Sequence, residues 1–179
     1  KSKPHFFKTY RGHSTTMVKK IVIISVTSRS NLVLAKKIGE LFNLKNEIIS
    51  LEDYNLPLYD GKVVLKDSSK INALCKKLIS ADGFVFCGPE YNGGSAPILT
   101  NAITWVSLST DNWRDGFNGK LALIGTNSGG EGVTFLRSFR SQLEYMGTVV
   151  MPKTISVNKN KEFNKESAER TIQSLIDLL

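Results

Sequence analysis

Apolar and polar positions fall into blocks along this chain, each with the period of one structural element. Ile21-Val22-Ile23-Ile24-Ser25-Val26 is almost wholly apolar, as expected of a central parallel strand buried on both faces. A polar break, Thr27-Ser28-Arg29-Ser30-Asn31, follows, after which Leu34, Ile38, Leu41 and Phe42 recur at helical spacing. Residues 46–51 predict a weaker second strand. Tyr54-Asn55-Leu56-Pro57-Leu58-Tyr59-Asp60-Gly61 predicts a loop punctuated by Pro and Asp-Gly. Residues 69–79 predict a helix with Ile71, Leu74, Leu78 and Ile79 on its buried side, residues 84–87 a third strand, and residues 98–107 the next helix. Leu121-Ala122-Leu123-Ile124-Gly125 is the fourth strand, and residues 135–146 form a helix that Gly147 terminates. Thr148-Val149-Val150-Met151 starts a fifth strand, and residues 166–179 close the chain as a helix. Strands separated by helices of this length imply parallel pairing through right-handed crossovers. The expected fold is α/β: a doubly wound, five-stranded parallel sheet with helices on both faces.

Composition sets bounds on this picture. A chain of 179 residues, 41% apolar and 22% charged, is one ordinary globular domain. Its longest apolar runs fall far short of the ~20 residues that cross a bilayer, so no membrane insertion is expected. Cys75 and Cys87 are too few and too wrongly spaced for a disulfide framework or a metal site; Cys87, at the end of an apolar strand, reads as a packed free thiol, and the chain as a reduced, cytoplasmic protein. Half of the net charge of +8 lies in residues 1–16, where Lys1, Lys3, Lys8 and Arg11 meet no acid. That leader precedes a plausible start at Met17 and reads as a cloning remnant or an unstructured arm. Docking through Phe6, Phe7 and Tyr10 onto the body or a neighbouring subunit is the alternative. Residues 17–179 form the domain. The rest of the positive charge is spread along helices that also carry acids, and no aromatic-basic stripe points to nucleic acid. Small anionic ligands such as phosphates explain the charge more economically.

Candidate chemistry gathers in three loops, each at the C-terminal end of a strand, where open α/β sheets form their ligand crevice. The first, residues 25–31, is rich in hydroxyls and opens a helix, so free amides and Arg29 favour an anion there. Capping of that helix by Ser28 or Ser30 is the alternative. The second, Gly88-Pro89-Glu90-Tyr91-Asn92-Gly93-Gly94, offers a ring face in Tyr91 and glycines that allow a flat ligand to approach. Glu90 suits a helix end better than general-base work. The third, Gly125-Thr126-Asn127-Ser128-Gly129-Gly130-Glu131-Gly132, has three glycines in its last four positions, more than a turn requires. A flexible surface loop is its alternative.

Pro89-Glu90-Tyr91-Asn92-Gly93 is followed by Pro97 and Asn101-Ala102-Ile103-Thr104-Trp105. Then come Ser128-Gly129-Gly130, Arg137, Gln142-Leu143, Gly147 and Val149-Val150-Met151-Pro152. With the Asp53-to-Tyr59 stretch, this string resembles the NAD(P)H-dependent FMN reductase family, flavodoxin-like proteins that include chromate, quinone and azo-dye reductases. The resemblance covers most of residues 17–179. It implies that Ser25, Thr27, Ser28, Arg29, Ser30 and Asn31 hold the FMN phosphate. Pro89, Glu90, Tyr91, Asn92 and Gly93 would lie along the isoalloxazine, and Thr126, Asn127, Ser128, Gly129, Gly130 and Glu131 would cover its other edge. The chain departs from the family where Ser25 takes the place of a glycine, where Arg29 and Ser30 are adjacent, and where Thr100 replaces a frequent lysine.

The implied activity is hydride transfer from NADPH or NADH to FMN and on to a small acceptor: flavin, quinone, azo compound or metal oxyanion. A flavodoxin-type electron carrier is the alternative, although such carriers are usually acidic and this chain is basic. No catalytic side chain is required, in keeping with His5 and His13 both lying in the leader. The resemblance also implies a homodimer or homotetramer, with Leu99, Ile103 and Trp105 either its contact face or packed on the sheet.

Overall fold

The structure, a computed structural model, describes residues 18–179. The leader at residues 1–16, with its docking through Phe6, Phe7 and Tyr10, lies outside the described residues. Strands β1 (Lys20–Ser25), β2 (Lys45–Ser50) and β3 (Gly83–Cys87) pair in parallel around β1. Here β1 is central because five of its six residues are wholly buried, with Ile21 and Ile23 facing one layer and Val22 and Ile24 the other. A small antiparallel hairpin, β4 (Glu90–Tyr91) and β5 (Gly94–Ser95), follows β3. Strand β6 (Leu121–Asn127) then lies beside β3. The short strands β7 (Val149–Val150) and β8 (Ile155–Val157) share the far side of β6, giving the order β2-β1-β3-β6-β7 with β8 also on β6.

The five expected sheet positions are therefore filled by six strands. The fifth breaks at Pro152, which has no N–H to give to a ladder, and resumes at Ile155 opposite Gly125. Arg140 compensates for the break, its guanidinium donating to the carbonyls of Val150, Met151 and Pro152.

Helices α1 (Ser30–Gly39) and α5 (Lys165–Ile176) cover one face of the sheet. The other face carries α2 (Ser69–Ser80), α3 (Pro97–Leu108) and α4 (Val133–Tyr145). In α2, Ile71, Leu74 and Leu78 are buried as expected, but Ile79 is 47% exposed because it lies beside the packed stripe on the last turn. Gly147 ends α4 with φ of 85°, a backbone conformation that glycine tolerates.

The structure decides the role of α3. Leu99, Ile103 and Trp105 are not a contact face: each is at most 6% exposed within the chain. Trp105 Nε1 donates to the Pro57 carbonyl at 2.7 Å, and the indole meets the Tyr59 ring edge-on with centroids 5.4 Å apart. Asn101 Oδ1 accepts from Tyr59 N–H at 2.9 Å, so α3 pins the loop that the Pro57 region makes. Among the described residues no helix is long and apolar enough to cross a membrane, and no side-chain cluster suits a metal ion.

Candidate functional site

The chain turns from β1 to α1 and from β3 toward α3 on opposite sides of the sheet, which opens a crevice above the strand ends. Parallel register aligns those ends: Ser25 pairs with Cys87, and Cys87 with Gly125. The three loops therefore leave the sheet at one level. They line an open cavity of about 410 Å³, formed by Thr27, Arg29, Ser30 and Asn31, by Pro89, Glu90 and Tyr91, by Asn127, Ser128 and Gly129, and by Lys159.

Not every polar group of the first loop faces this cavity. Ser25 is fully buried, and its hydroxyl donates to the Thr27 carbonyl at 2.7 Å, so it shapes the loop from within. Ser28 lies off the cavity, and its N–H donates to Glu52 Oε2 at 2.9 Å. Asn31 is 1% exposed and clamps the third loop: its Nδ2 donates to the Asn127 carbonyl at 3.0 Å while its Oδ1 accepts from Asn127 N–H at 2.8 Å. The start of α1 has no side-chain cap, so Ser28 and Ser30 do not play that part. An uncapped first turn leaves backbone donors for an anion.

In the second loop, Asn92 and Gly93 have φ of 50° and 73°, the tight-turn geometry that Asn-Gly favours between paired strands. They sit at the hairpin tip, off the cavity wall, beside Tyr91, a residue that is 50% exposed. Glu90 is anchored at both ends. Its N–H donates to Ser128 Oγ at 2.8 Å, and its Oε2 accepts from Phe135 N–H at 2.9 Å in the first turn of α4. A carboxylate there is favoured by the helix's positive end.

In the third loop, Thr126 is buried and its hydroxyl pairs with that of Ser128 at 2.7 Å. Gly130 and Glu131 are exposed and lie beyond the cavity wall, Glu131 using its carbonyl to accept from Ser156 Oγ at 2.9 Å. Gly129 lines the cavity with nothing within 4 Å of where a Cβ would stand. The protein's own packing does not demand that glycine, so the space it leaves is available to a ligand.

Residues 19–162 match the model of the NADPH-dependent FMN reductase family. The chain belongs to that family. An NADPH azoreductase of Bacillus sp. (strain OY1-2) is 29% identical over 140 residues, covering 76% of this chain and 75% of that one. An NAD(P)H-dependent FMN reductase of Schizosaccharomyces pombe is 30% identical over 151 residues, covering 74% and 71%. Among solved structures, the flavoenzyme NAD(P)H:acceptor oxidoreductase of Paracoccus denitrificans matches with a TM-score of 0.73 at 20% identity, over 89% of this chain and 96% of that one. An apo NADH:FMN oxidoreductase gives 0.69 at 20% identity, over 90% of each chain. At such identities these structures establish the flavodoxin-like fold alone. Family membership makes the protein an NAD(P)H-dependent FMN oxidoreductase, and the observed residues fit that cofactor: an uncapped helix start beside Arg29 for a phosphate, an exposed ring at Tyr91, and an open cradle at Gly129.

Lys159 was not among the residues expected from sequence. It lies in a polar Asn-Lys-Asn-Lys run with no local mark of a site, and only the pairing of β8 with β6 brings it to the cavity.

Proposed function

We propose that the three-loop cavity holds FMN and that its open side admits reduced nicotinamide and a small electron acceptor in turn. The observation that carries this reading is a single cavity of about 410 Å³ walled by all three loops, within the ~300–1,000 Å³ range of small-ligand sites. Bound FMN supplies the redox chemistry, taking a hydride from nicotinamide and passing electrons on. Thr27, Arg29, Ser30 and the first amides of α1 receive the phosphate. Tyr91 lies along the isoalloxazine, with the backbone of Pro89 and Glu90 beside it, and Gly129 lets the ring edge come close. Asn31, Ser128 and Glu90 hold the loops at fixed spacing rather than reaching for the ligand with their side chains. No general base is invoked, since the Glu90 carboxylate already binds the Phe135 amide.

The acceptor is a flat or small oxidant: flavin, quinone, azo compound or metal oxyanion. The name of the Bacillus relative favours azo compounds, and the basic excess favours NADPH over NADH. The reading includes a cytoplasmic setting, supported by the two buried free thiols. It includes self-association, for which the exposed Trp113–Tyr145 pair is a better contact than α3, and sedimentation velocity reads it directly. If nicotinamide and acceptor use one cavity in turn, initial rates with NADPH and a quinone or azo dye give parallel double-reciprocal lines. Intersecting lines would require both to be bound together and would overturn the shared cavity.

A further inference from the structure

Lys159 reaches the cavity from a part of the chain far from the first loop, yet both are fixed to the same residue. Asn127 is clamped by Asn31, two residues after Arg29, and pairs in register with Val157, two residues before Lys159. Beyond Val157 the chain makes a closed two-residue turn. The Asn158 and Lys161 backbones exchange hydrogen bonds of 2.9 and 3.1 Å, and Asn158 Oδ1 accepts from Asn160 N–H at 2.9 Å. Lys159 stands at the tip of this tied turn and lines the same cavity as Thr27, Arg29 and Ser30.

The residues that line the cavity carry more positive than negative charge, and the Glu52 carboxylate stands just outside it on the Ser28 N–H. Arg29 and Lys159 are its cations, and among the described residues neither forms an ion pair. Among the described residues Glu90 is the only acid on the wall, and its carboxylate is engaged by the amide of Phe135. The two cations lie with the hydroxyls of Thr27 and Ser30 on the lining, while the Glu90 carboxylate is turned to the start of α4.

We infer that Lys159 joins Arg29 in binding a phosphate monoester dianion, and that Lys159 lets the site favour ligands carrying that group over analogues lacking it. The inference rests on the reading of the cavity as the flavin site. A phosphate monoester carries about −1.5 to −2 charge at neutral pH, so one guanidinium leaves part of it uncompensated. Two ligands of this enzyme present such a group: FMN through its 5′-phosphate and NADPH through its 2′-phosphate. Riboflavin and NADH are the matched analogues without it.

The test uses the full chain and its Lys159→Ala and Lys159→Arg variants. Flavin fluorescence reads binding of FMN and riboflavin, and nicotinamide fluorescence reads NADPH and NADH. Lys159→Ala is expected to weaken the phosphate-bearing member of one pair roughly tenfold, leave its analogue unchanged, and be restored largely by arginine. Selective loss of FMN assigns the lysine to the flavin phosphate; selective loss of NADPH assigns it to the nicotinamide's phosphate. Equal weakening within both pairs, or no change in any, would overturn the inference. Wild-type protein that binds neither flavin would overturn the cavity reading alone, and Lys159 would then be judged on NADPH against NADH.

Discussion

Asn31→Leu is expected to cost about 2–4 kcal/mol of stability and to abolish FMN retention. The side chain is buried and satisfies both backbone groups of Asn127, the residue where the third loop leaves β6. A leucine of similar size fills the space but leaves an N–H and a C=O without partners, each costing ~1–3 kcal/mol. The loss reaches function because the clamp fixes the start of α1 against the third loop, and those two walls must grip one ligand. Asn31→Asp keeps the acceptor and loses the donor, so it should fall between wild type and leucine. Urea unfolding with FMN titration checks both variants. A leucine variant within about 1 kcal/mol of wild type, with FMN affinity intact, would mean that the loops are held by something else.

Gly88→Ala is expected to be nearly as damaging, at ~1–3 kcal/mol, although it adds only one methyl group. An ideal Cβ there stands 2.8 Å from Phe135 Cζ and 2.9 Å from Val26 Cγ2, and neither neighbour has room to retreat. Phe135 is wholly buried and stacked on Phe139 with centroids 5.6 Å apart, and its own N–H anchors Glu90. Moving that ring moves the start of α4 and loosens the loop that presents Tyr91. A fall in melting temperature of roughly 5 °C is expected. Gly129→Ala is the counterpart: its Cβ meets nothing in the protein, so stability should hold while FMN binding weakens. Equal effects of the two variants on melting would contradict this division between a packing glycine and a ligand glycine.

Much of this architecture is written locally. Strands β1 and β3 are apolar on both faces because helices cover both, and the Phe135, Phe139 and Leu143 spacing announces α4. The three loops could be found because each follows such a strand. The partners of their polar groups could not, since Ser25 and Asn31 look like ligand donors until the fold turns one toward Thr27 and the other toward Asn127. The break in the fifth strand is marked by Pro152, but its return at Ile155 depends on β6 running on to Asn127, past its apolar stretch. Trp105 was open between interface and core because its acceptor, the Pro57 carbonyl, lies 48 residues earlier. The hairpin turn at Asn92 and Gly93 was not expected, because the glycines around that Asn-Gly dipeptide read as one irregular loop.

The central claim is that FMN binds in the three-loop cavity and is reduced there by NAD(P)H. Its most direct test is the absorbance spectrum of the full chain, loaded with FMN and desalted, before and after NADPH without oxygen. A retained flavin band that bleaches rapidly is the expected result, and Asn31→Leu protein should retain no band. A retained band that stays yellow with NADPH and NADH alike would describe an electron carrier instead. No retained band at all would contradict FMN binding in this cavity.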